Sequence, residues 1–216
     1  MGKLSSRDRK LAHVAGQNVS NVENRNFAPM SVALGQGLLA APLQVTPTTG
    51  IVATAQTVYW CYVGCTQKTV TVDYVKFCQT VVAAGTTQVA QIALASTTSG
   101  PDGSAKTFTV LKVDNTLDDL KATTAATGVV RGNTTAMDFK VSPCTHLWVA
   151  ARFDMTTAPT QPAILGCALD LGRGFIQTTA SVTSPMVAGD SKVGVVPTVA
   201  IATTAQSLYL WGVANP

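Results

Sequence analysis

The chain has 216 residues, of which 12% are charged and 6% are aromatic, and its formal net charge is +4. This length suits one domain of ordinary size with an appendage, and so small a net charge excludes a basic domain that reads nucleic acid directly. A lone soluble domain usually carries about a quarter charged residues, so we expect neighbouring subunits to cover part of the surface.

The first 50 residues differ from the rest in charge and in pattern. They hold five basic and two acidic residues, a net charge of +3, whereas the remaining residues carry a net charge of +1. They show no strand alternation and end in PLQVTPTTG, a composition typical of a linker. We predict an extended N-terminal anchoring arm over 1–50, with a helical turn at Ser5–Val14, and a β domain over 51–216.

The arm combines a basic start with the apolar run Met30–Leu43, which is too short to span a bilayer. We expect this run to lie on a protein surface. Because the basic start leads into polar residues, it is not a secretory signal, and we expect a chain made in a host cytoplasm with no membrane partner. The candidate docking residues are Arg7, Arg9, Lys10, Phe27, Met30, Leu38 and Leu39.

From residue 51 onward, short runs rich in β-branched residues alternate with turn signals, as is typical of strands. A turn built on Asp-Gly is predicted at 100–106, a Pro-rich loop at 156–162, and one short helix at 115–126, where a capping residue precedes acidic residues. Many short strands without long helices predict an all-β fold, an antiparallel jelly-roll-like β-sandwich.

Ten strands are predicted. They are Thr57–Cys65, Thr69–Thr80, Thr87–Ser96, Thr107–Val113, Met137–Val141, His146–Asp154, Ala163–Asp170, Gly174–Thr179, Val193–Ala202 and Gln206–Val213.

Alternation is clearest in HLWVAARFD, at His146–Asp154. One face, expected in the core, holds Leu147, Val149, Ala151 and Phe153. The other face, expected to meet solvent or a neighbouring subunit, holds His146, Trp148, Ala150, Arg152 and Asp154. Tryptophan is enriched at interfaces, so the candidate contacts with another subunit or a glycan are Trp60, Trp148 and Trp211.

The five cysteines show neither disulfide nor zinc spacing. Cys61 and Cys65 would share a strand face about 13 Å apart, which is too far for a disulfide or for binding one metal ion. Cys78, Cys144 and Cys167 stand alone. We expect free, buried thiols in a reducing cytoplasm and no metal.

No catalytic or cofactor motif is present, so we expect neither enzyme activity nor a cofactor. Cys144 and His146 are two residues apart and could serve as nucleophile and base, but no third group orients the histidine. We expect a thiol beside a histidine at the rim of the domain. The acids Asp114, Asp118 and Asp119 fit the first turn of the predicted helix and lack the oxygen spacing of a calcium loop.

The order of several segments resembles a jelly-roll type of virion protein from tailed bacteriophages, a group of head decoration or cement proteins, head fibres and tail-associated fibres. The segments are VYWCYVGCTQKTVTVDYVKF, GPDGSAKTFTVLKV, HLWVAARFDMTTAPTQPAILG and the closing LYLWGVANP. The resemblance covers roughly residues 51–216. It implies a two-sheet antiparallel domain, a homotrimer, and docking on the particle through a separate N-terminal segment, and it implies no catalytic residues.

We therefore expect a structural virion protein, foremost a capsid decoration, cement or minor capsid protein that docks on the major capsid protein or another virion protein. A tail- or head-fibre or receptor-binding protein is one alternative, which the lack of stalk repeats and heptads disfavours. A carbohydrate-binding module that stacks exposed tryptophans on a host-surface glycan is another. An enzyme would require a pocket that groups Cys144 and His146 with an acid.

Overall fold

The computed structural model describes residues 38–39, 47–66, 68–122, 128–167, 174–197, 207–208 and 210–215. These residues contain no helix and form antiparallel strands in two sheets, so the expected all-β antiparallel sandwich is confirmed. The strands are β1 (Leu38–Leu39), β2 (Pro47–Val52), β3 (Val58–Cys65), β4 (Val70–Val81), β5 (Ala84–Thr97), β6 (Lys106–Asp114), β7 (Val129–Gly132), β8 (Phe139–Val141), β9 (His146–Thr160), β10 (Ala163–Cys167), β11 (Ile176–Thr179), β12 (Ser191–Gly194), β13 (Ser207–Leu208) and β14 (Leu210–Asn215).

The eight-stranded sheet is organised around β4. Its main order is β1-β14-β4-β10-β13, while β2 pairs with β10, and β7 and β8 pair with β4. Phe77 on β4 meets Phe153 on β9 edge to face, with ring centroids 5.1 Å apart, so this sheet packs against the other through aromatic contacts.

The six-stranded sheet has the order β11-β3-β9-β5-β6-β12 and curls until its outer strands meet. Thr178 on β11 and Val195, just after β12, exchange two backbone hydrogen bonds of 2.9 Å. This bridge joins the two ends of the sheet. The result is a nearly closed six-stranded barrel, one side of which forms a layer of the sandwich.

Both faces of strand β9 are buried, because one packs on the eight-stranded sheet and the other faces the interior of the barrel. Leu147 and Phe153 face the eight-stranded sheet, as expected from the alternation. The opposite face was predicted to meet solvent or a neighbour, and this is wrong: Trp148 and Arg152 are 0% and 1% exposed. The side chains of this face point into the barrel, where they are covered by the chain's own strands.

Aromatic rings fill the middle of the barrel. Trp60 stacks on Phe108 with centroids 4.3 Å apart and planes 4° apart, and Phe108 meets Trp148 edge to face at 4.9 Å. Tyr62 lies 5.0 Å from Trp148. Room for these rings comes from small residues, since Ala95 is the β5 partner of Trp148. A small barrel filled in this way has no internal ligand channel.

The proposed contact role of two tryptophans is overturned by their burial. Trp60 and Trp148 are both 0% exposed. Each indole N–H has an internal acceptor, Thr179 Oγ1 at 2.9 Å for Trp60 and Thr97 Oγ1 at 2.8 Å for Trp148. Neither ring can stack on a glycan or anchor a second subunit. The side chain of Trp211 lies outside the described residues, although its backbone pairs with Lys76.

The boundaries of several predicted elements change. All ten predicted strands overlap observed strands, but β1, β2 and β7 were not predicted, and β2 begins at Pro47, within the stretch predicted as a linker. The loop predicted at 156–162 is wrong for its first five residues, because β9 continues through Thr160 and pairs with Ala84. Residues 168–170, 198–202, 206 and 209 of the predicted strands lie outside the described residues.

The predicted helix at 115–126 is wrong for residues 115–122, while 123–127 lie outside the described residues. Its acids bond nearby backbone N–H groups instead of starting a helix: Asp114 accepts from Thr116, and Asp118 accepts from Gly132. Such side-chain bonds compete with helical hydrogen bonding. Leu117 forms an antiparallel bridge with Asn133, which keeps the segment extended against the domain.

We expect Trp148→Ala to lower the free energy of unfolding by about 3–5 kcal/mol, because it leaves a cavity at the centre of the barrel. Urea denaturation would measure this. The control is Val130→Ala at a side chain that is 59% exposed, where a change within about 0.5 kcal/mol is expected. Equal, small effects in both variants would contradict the filled barrel.

Candidate functional site

Titratable side chains gather at one end of the barrel, where β3 and β9 meet the turn between β5 and β6. We call this group the rim cluster: Tyr62, Cys65, Asp102, Lys106, Cys144 and His146. The pairing register sets its centre, since the backbone of His146 lies opposite Cys65 on one side and Thr97 on the other. It is the part of the described structure that best fits a candidate site.

A β-bulge in β3 brings Tyr62 and Cys65 to the same histidine. The register shifts between Tyr62 and Gly64, and Gly64 has φ +147°. In an unbroken strand, residues three apart point to opposite faces. The extra residue of the bulge places Tyr62 and Cys65 on the same face of the sheet. Tyr62 therefore reaches His146 from the same side as Cys65, which is the cross-strand partner of His146.

Tyr62 and His146 form a neutral hydrogen-bonded pair. The Tyr62 hydroxyl lies 2.9 Å from His146 Nδ1. Burial raises the pKa of Tyr62, and Cys65 raises it further. Burial also lowers the pKa of His146, with a smaller contribution from the charge of Lys106. Both groups are therefore uncharged at neutral pH, and one hydrogen bond joins the hydroxyl to Nδ1.

Lys106 closes the same end of the barrel with a satisfied charge. Its residue is 6% exposed, and Nζ lies 2.7 Å from Asp102 Oδ2 and 3.0 Å from Ser99 Oγ. Asp102 also accepts from Ser104, in the predicted Asp-Gly turn, where Gly103 has φ +85°. Hydrogen bonds from Lys106 and Ser104 hold the pKa of Asp102 well below its usual range.

Two thiols, those of Cys65 and Cys144, lie near each other at the rim. Cys65 is half-buried, and burial raises its pKa, with a further increase from Cys144. Cys144 is exposed and has φ +60°, a backbone conformation that favours glycine. In the structure both cysteines are thiols outside a disulfide, as are Cys61 and Cys78. The expectation that they are buried is right only for Cys61.

The rim cluster does not have the geometry of a nucleophile with its base. His146 Nδ1 is bonded to Tyr62, and among the described residues no hydrogen bond joins His146 to Cys144 or to a carboxylate. The raised pKa of Cys65 keeps its thiol protonated at neutral pH, whereas reactive cysteines have lowered values. The part of the chain that the structure describes holds no group of three or more His, Cys, Asp and Glu residues suited to a metal ion.

The opposite end of the barrel is closed by a buried ion pair. Arg152 donates to Asp154 through Nε at 2.9 Å and through Nη2, and both side chains are at least 96% buried. Asp154 also accepts from the Gln56 amide, and Arg152 donates to the Ser184 carbonyl. Because every partner lies in this chain, the pair ties two loops to β9. It offers no free charge to a ligand.

An open groove lies near this second end. It is lined by Thr87, Gln88, Val89, Ala90, Gln91, Asn115 and Pro185. None of these side chains titrates near neutral pH, and none is aromatic. The groove therefore lacks both an acid–base pair and a stacking surface for a sugar.

The predicted docking residues fall largely outside what the structure describes. Arg7, Arg9, Lys10, Phe27 and Met30 are all outside it, as is the predicted helical turn at Ser5–Val14. The backbones of Leu38 and Leu39 form β1, opposite Val213 and Gly212 of β14. Their side chains are outside the described structure, so anchoring by the arm stays a prediction.

Sequence reasoning found Cys144 and His146 but not their surroundings. Tyr62 was assigned to a strand without a partner, and Lys106 was not singled out. The bulge between Tyr62 and Gly64 joins Tyr62 to a histidine 84 positions away. The glycine in YVGC is a weak signal for such a bulge, and it does not reveal the partner.

Comparison with known proteins identifies no relative: the chain matches no family model, and no curated protein is significantly similar to it. Within the described residues, no helix is long and apolar enough to cross a membrane.

We expect His146 to make the domain less stable in acid. Its folded-state pKa lies below the unfolded value of about 6.5, so the unfolded chain takes up the proton first. The free energy of unfolding should fall as the pH drops from 6.5 to the folded-state pKa, and then level off. Urea denaturation from pH 7.5 to 5 measures this.

His146→Gln removes the titration and retains a polar side chain that can hydrogen-bond to Tyr62. This variant should show a flatter dependence on pH over the same range. His13→Gln, which removes the other histidine, is the control and should behave like the wild type. A wild-type slope that persists in His146→Gln would show that other groups cause it.

Proposed function

We propose that the chain is a structural protein of a tailed-phage virion, a capsid decoration, cement or minor capsid protein without catalytic activity. The observation that carries the proposal is an uncharged, partly apolar strip on the outside of the barrel. It fits a surface that is covered by another copy of the chain. The sequence resemblance to jelly-roll virion proteins supports the same role.

The strip runs across β6, β12 and β11. We call it the β12 strip: Thr107, Thr109, Thr178, Ser191, Val193 and Val195. The register places Val193 beside Thr107 and Val195 beside Thr178. Val193 and Val195 are 59% and 52% exposed. The strip lacks the charged side chains, such as Lys, that usually protect a solvent-exposed strand. A surface without charges is typical of the core of an interface.

Self-association through this strip suits a closed homotrimer, which would bury the same strip on every subunit. The filled barrel supports a role without a bound small molecule, because its interior is occupied by Trp60, Phe108 and Trp148. Because Trp60 and Trp148 are buried, two of the three tryptophans that a carbohydrate-binding module would use cannot contact a sugar.

The arm provides the proposed contact with the particle. Residues 1–37 carry all seven charged groups of the N-terminal region, with a net charge of +3. They precede β1, which pairs with β14 at one edge of the eight-stranded sheet. In this proposal the arm leaves the β domain from that edge. Its partner in this proposal is the major capsid protein or another virion protein.

The virion role is tested by fractionating a culture that produces the protein. Particles that contain DNA would be separated by density gradient and probed with an antibody against the chain. We expect the chain in the particle fraction, and we expect added full-length protein to bind particles that lack it, whereas a copy lacking residues 1–45 does not. A chain found only in the soluble fraction would overturn the proposal.

We expect the double variant Val193→Lys and Val195→Lys to convert a trimer into a folded monomer at about 10 μM. The two lysines place like charges on every subunit across the proposed contact, and like charges brought together disfavour association. Light scattering would give the mass, and circular dichroism would show whether the fold is retained.

The matched control is Val130→Lys on the eight-stranded sheet, since Val130 is also 59% exposed. This variant should remain trimeric. A double variant that keeps the wild-type mass would exclude the β12 strip as the subunit contact, and a monomeric wild type would exclude the trimer itself.

A further inference from the structure

We propose that Cys65 and Cys144 form a modification site, at which oxidation joins the two thiols in a disulfide that pins the end of β3 to the turn before β9. This inference rests on the geometry of the rim cluster and is independent of the proposed virion role.

The backbone brings the two cysteines closer than regular pairing would. Cys65 lies opposite His146, so regular antiparallel pairing would place Cys144 opposite residue 67. Instead, the Cys144 amide donates to the Thr66 carbonyl at 2.6 Å, and the Thr66 amide donates to the Thr145 carbonyl at 3.0 Å. Cys144 and Thr145 therefore both oppose Thr66, which is the pattern of a G1 β-bulge.

This bulge sets a separation that a disulfide can span. Cys144 lies opposite the residue that follows Cys65, so the two Cα atoms are separated by one strand spacing and one residue rise. A spacing of about 5 Å and a rise of about 3.4 Å give a Cα–Cα distance of roughly 6 Å, and native disulfides have Cα atoms about 4.4–6.8 Å apart. The thiols are near enough for Cys144 to raise the pKa of Cys65.

The residue at position 144 is a second sign that a thiol is used there. Position 1 of a G1 bulge is ordinarily glycine, because its φ is positive. Here a cysteine holds φ +60° after Pro143, and it is exposed. A side chain in that conformation costs about 1 kcal/mol or more, and here it carries the thiol that raises the pKa of Cys65.

The chemistry balances with a peroxide as the oxidant. The exposed Cys144 sulfur attacks one oxygen of hydrogen peroxide, the O–O bond breaks, and the products are a sulfenic acid and water. The Cys65 sulfur then displaces the hydroxyl from the Cys144 sulfur, the S–S bond forms, and the departing hydroxide takes the Cys65 proton as water. In total, two thiols lose two hydrogens and the peroxide is reduced to two waters.

The disulfide would close a loop of about 80 residues, and long closed loops restrict the unfolded chain strongly. We therefore expect the oxidised protein to melt at a temperature higher by on the order of 5–10 °C. Because the raised pKa of Cys65 keeps it protonated near neutral pH, its step should become faster as the pH is increased.

The test uses the full-length chain, reduced, freed of reductant and treated with hydrogen peroxide at low protein concentration. Intact mass spectrometry should show the loss of two hydrogens, and peptide mapping without reduction should join the peptides of Cys65 and Cys144. Cys78→Ser is the matched control, since Cys78 is also half-buried, and it should behave like the wild type in mass and melting temperature.

Cys65→Ser and Cys144→Ser should each lose both the mass change and the rise in melting temperature. A wild-type chain that keeps its hydrogens, takes up oxygen without a crosslink, or joins a different pair of cysteines would overturn the proposal. Peptide mapping of the wild type decides the matter even if a serine variant fails to fold.

Discussion

The stack of Trp60 on Phe108, closed at the side by Trp148, is the contact on which the rest of the domain depends. It lies inside a sheet whose ends meet through the bridge between Thr178 and Val195. Close packing extends to the backbone, because a Cβ atom at Gly194 would lie 2.4 Å from the Phe108 ring. A barrel this small is stable only if its interior is filled. Polar and charged side chains lie at the two ends of the barrel, on either side of this aromatic interior.

Those ends explain why charged residues lie inside so apolar a domain. Arg152 and Asp154 close one end, and Lys106 with Asp102 closes the other. Each buried charge has a partner in the chain, as burial requires. Burial of a pair does not by itself show that the pair stabilises the fold. It does fix which loops lie over each end, and the rim cluster follows from this arrangement.

Much of the fold follows from the sequence, because strand alternation is a local property. His146–Asp154 alternates as predicted, yet the side expected outside the domain lies within the barrel. Closure of a sheet into a barrel depends on strands far apart in the sequence, so the pattern within this one strand does not predict it. The apolar run at Val58–Val63 is a better indication of a closed barrel, because it has no polar face and both of its faces are buried. The predicted helix is wrong for residues 115–122, where Asp118 accepts from the Gly132 amide of β7 and Leu117 bridges to Asn133.

The candidate site was less predictable than the fold. Its members come from β3, β9 and a turn, and two bulges decide which side chains meet. One bulge turns Tyr62 toward His146, and the other places Cys144 opposite Thr66, the residue that follows Cys65. A bulge adds one residue to one strand. Strict alternation along the sequence therefore assigns the residues beyond the bulge to the wrong face of the sheet. The residue types were visible in the sequence, but their arrangement was not.

Hydrogen exchange of the indole N–H groups of Trp60 and Trp148 tests the filled barrel most directly. NMR would follow both signals in the full-length protein, with Trp→Phe variants for assignment. Each N–H is held by a threonine inside a chain that leaves the rings 0% exposed. The account predicts exchange over hours or longer, near the rate of global unfolding. Exchange of both groups within seconds would place the rings at the surface and contradict it.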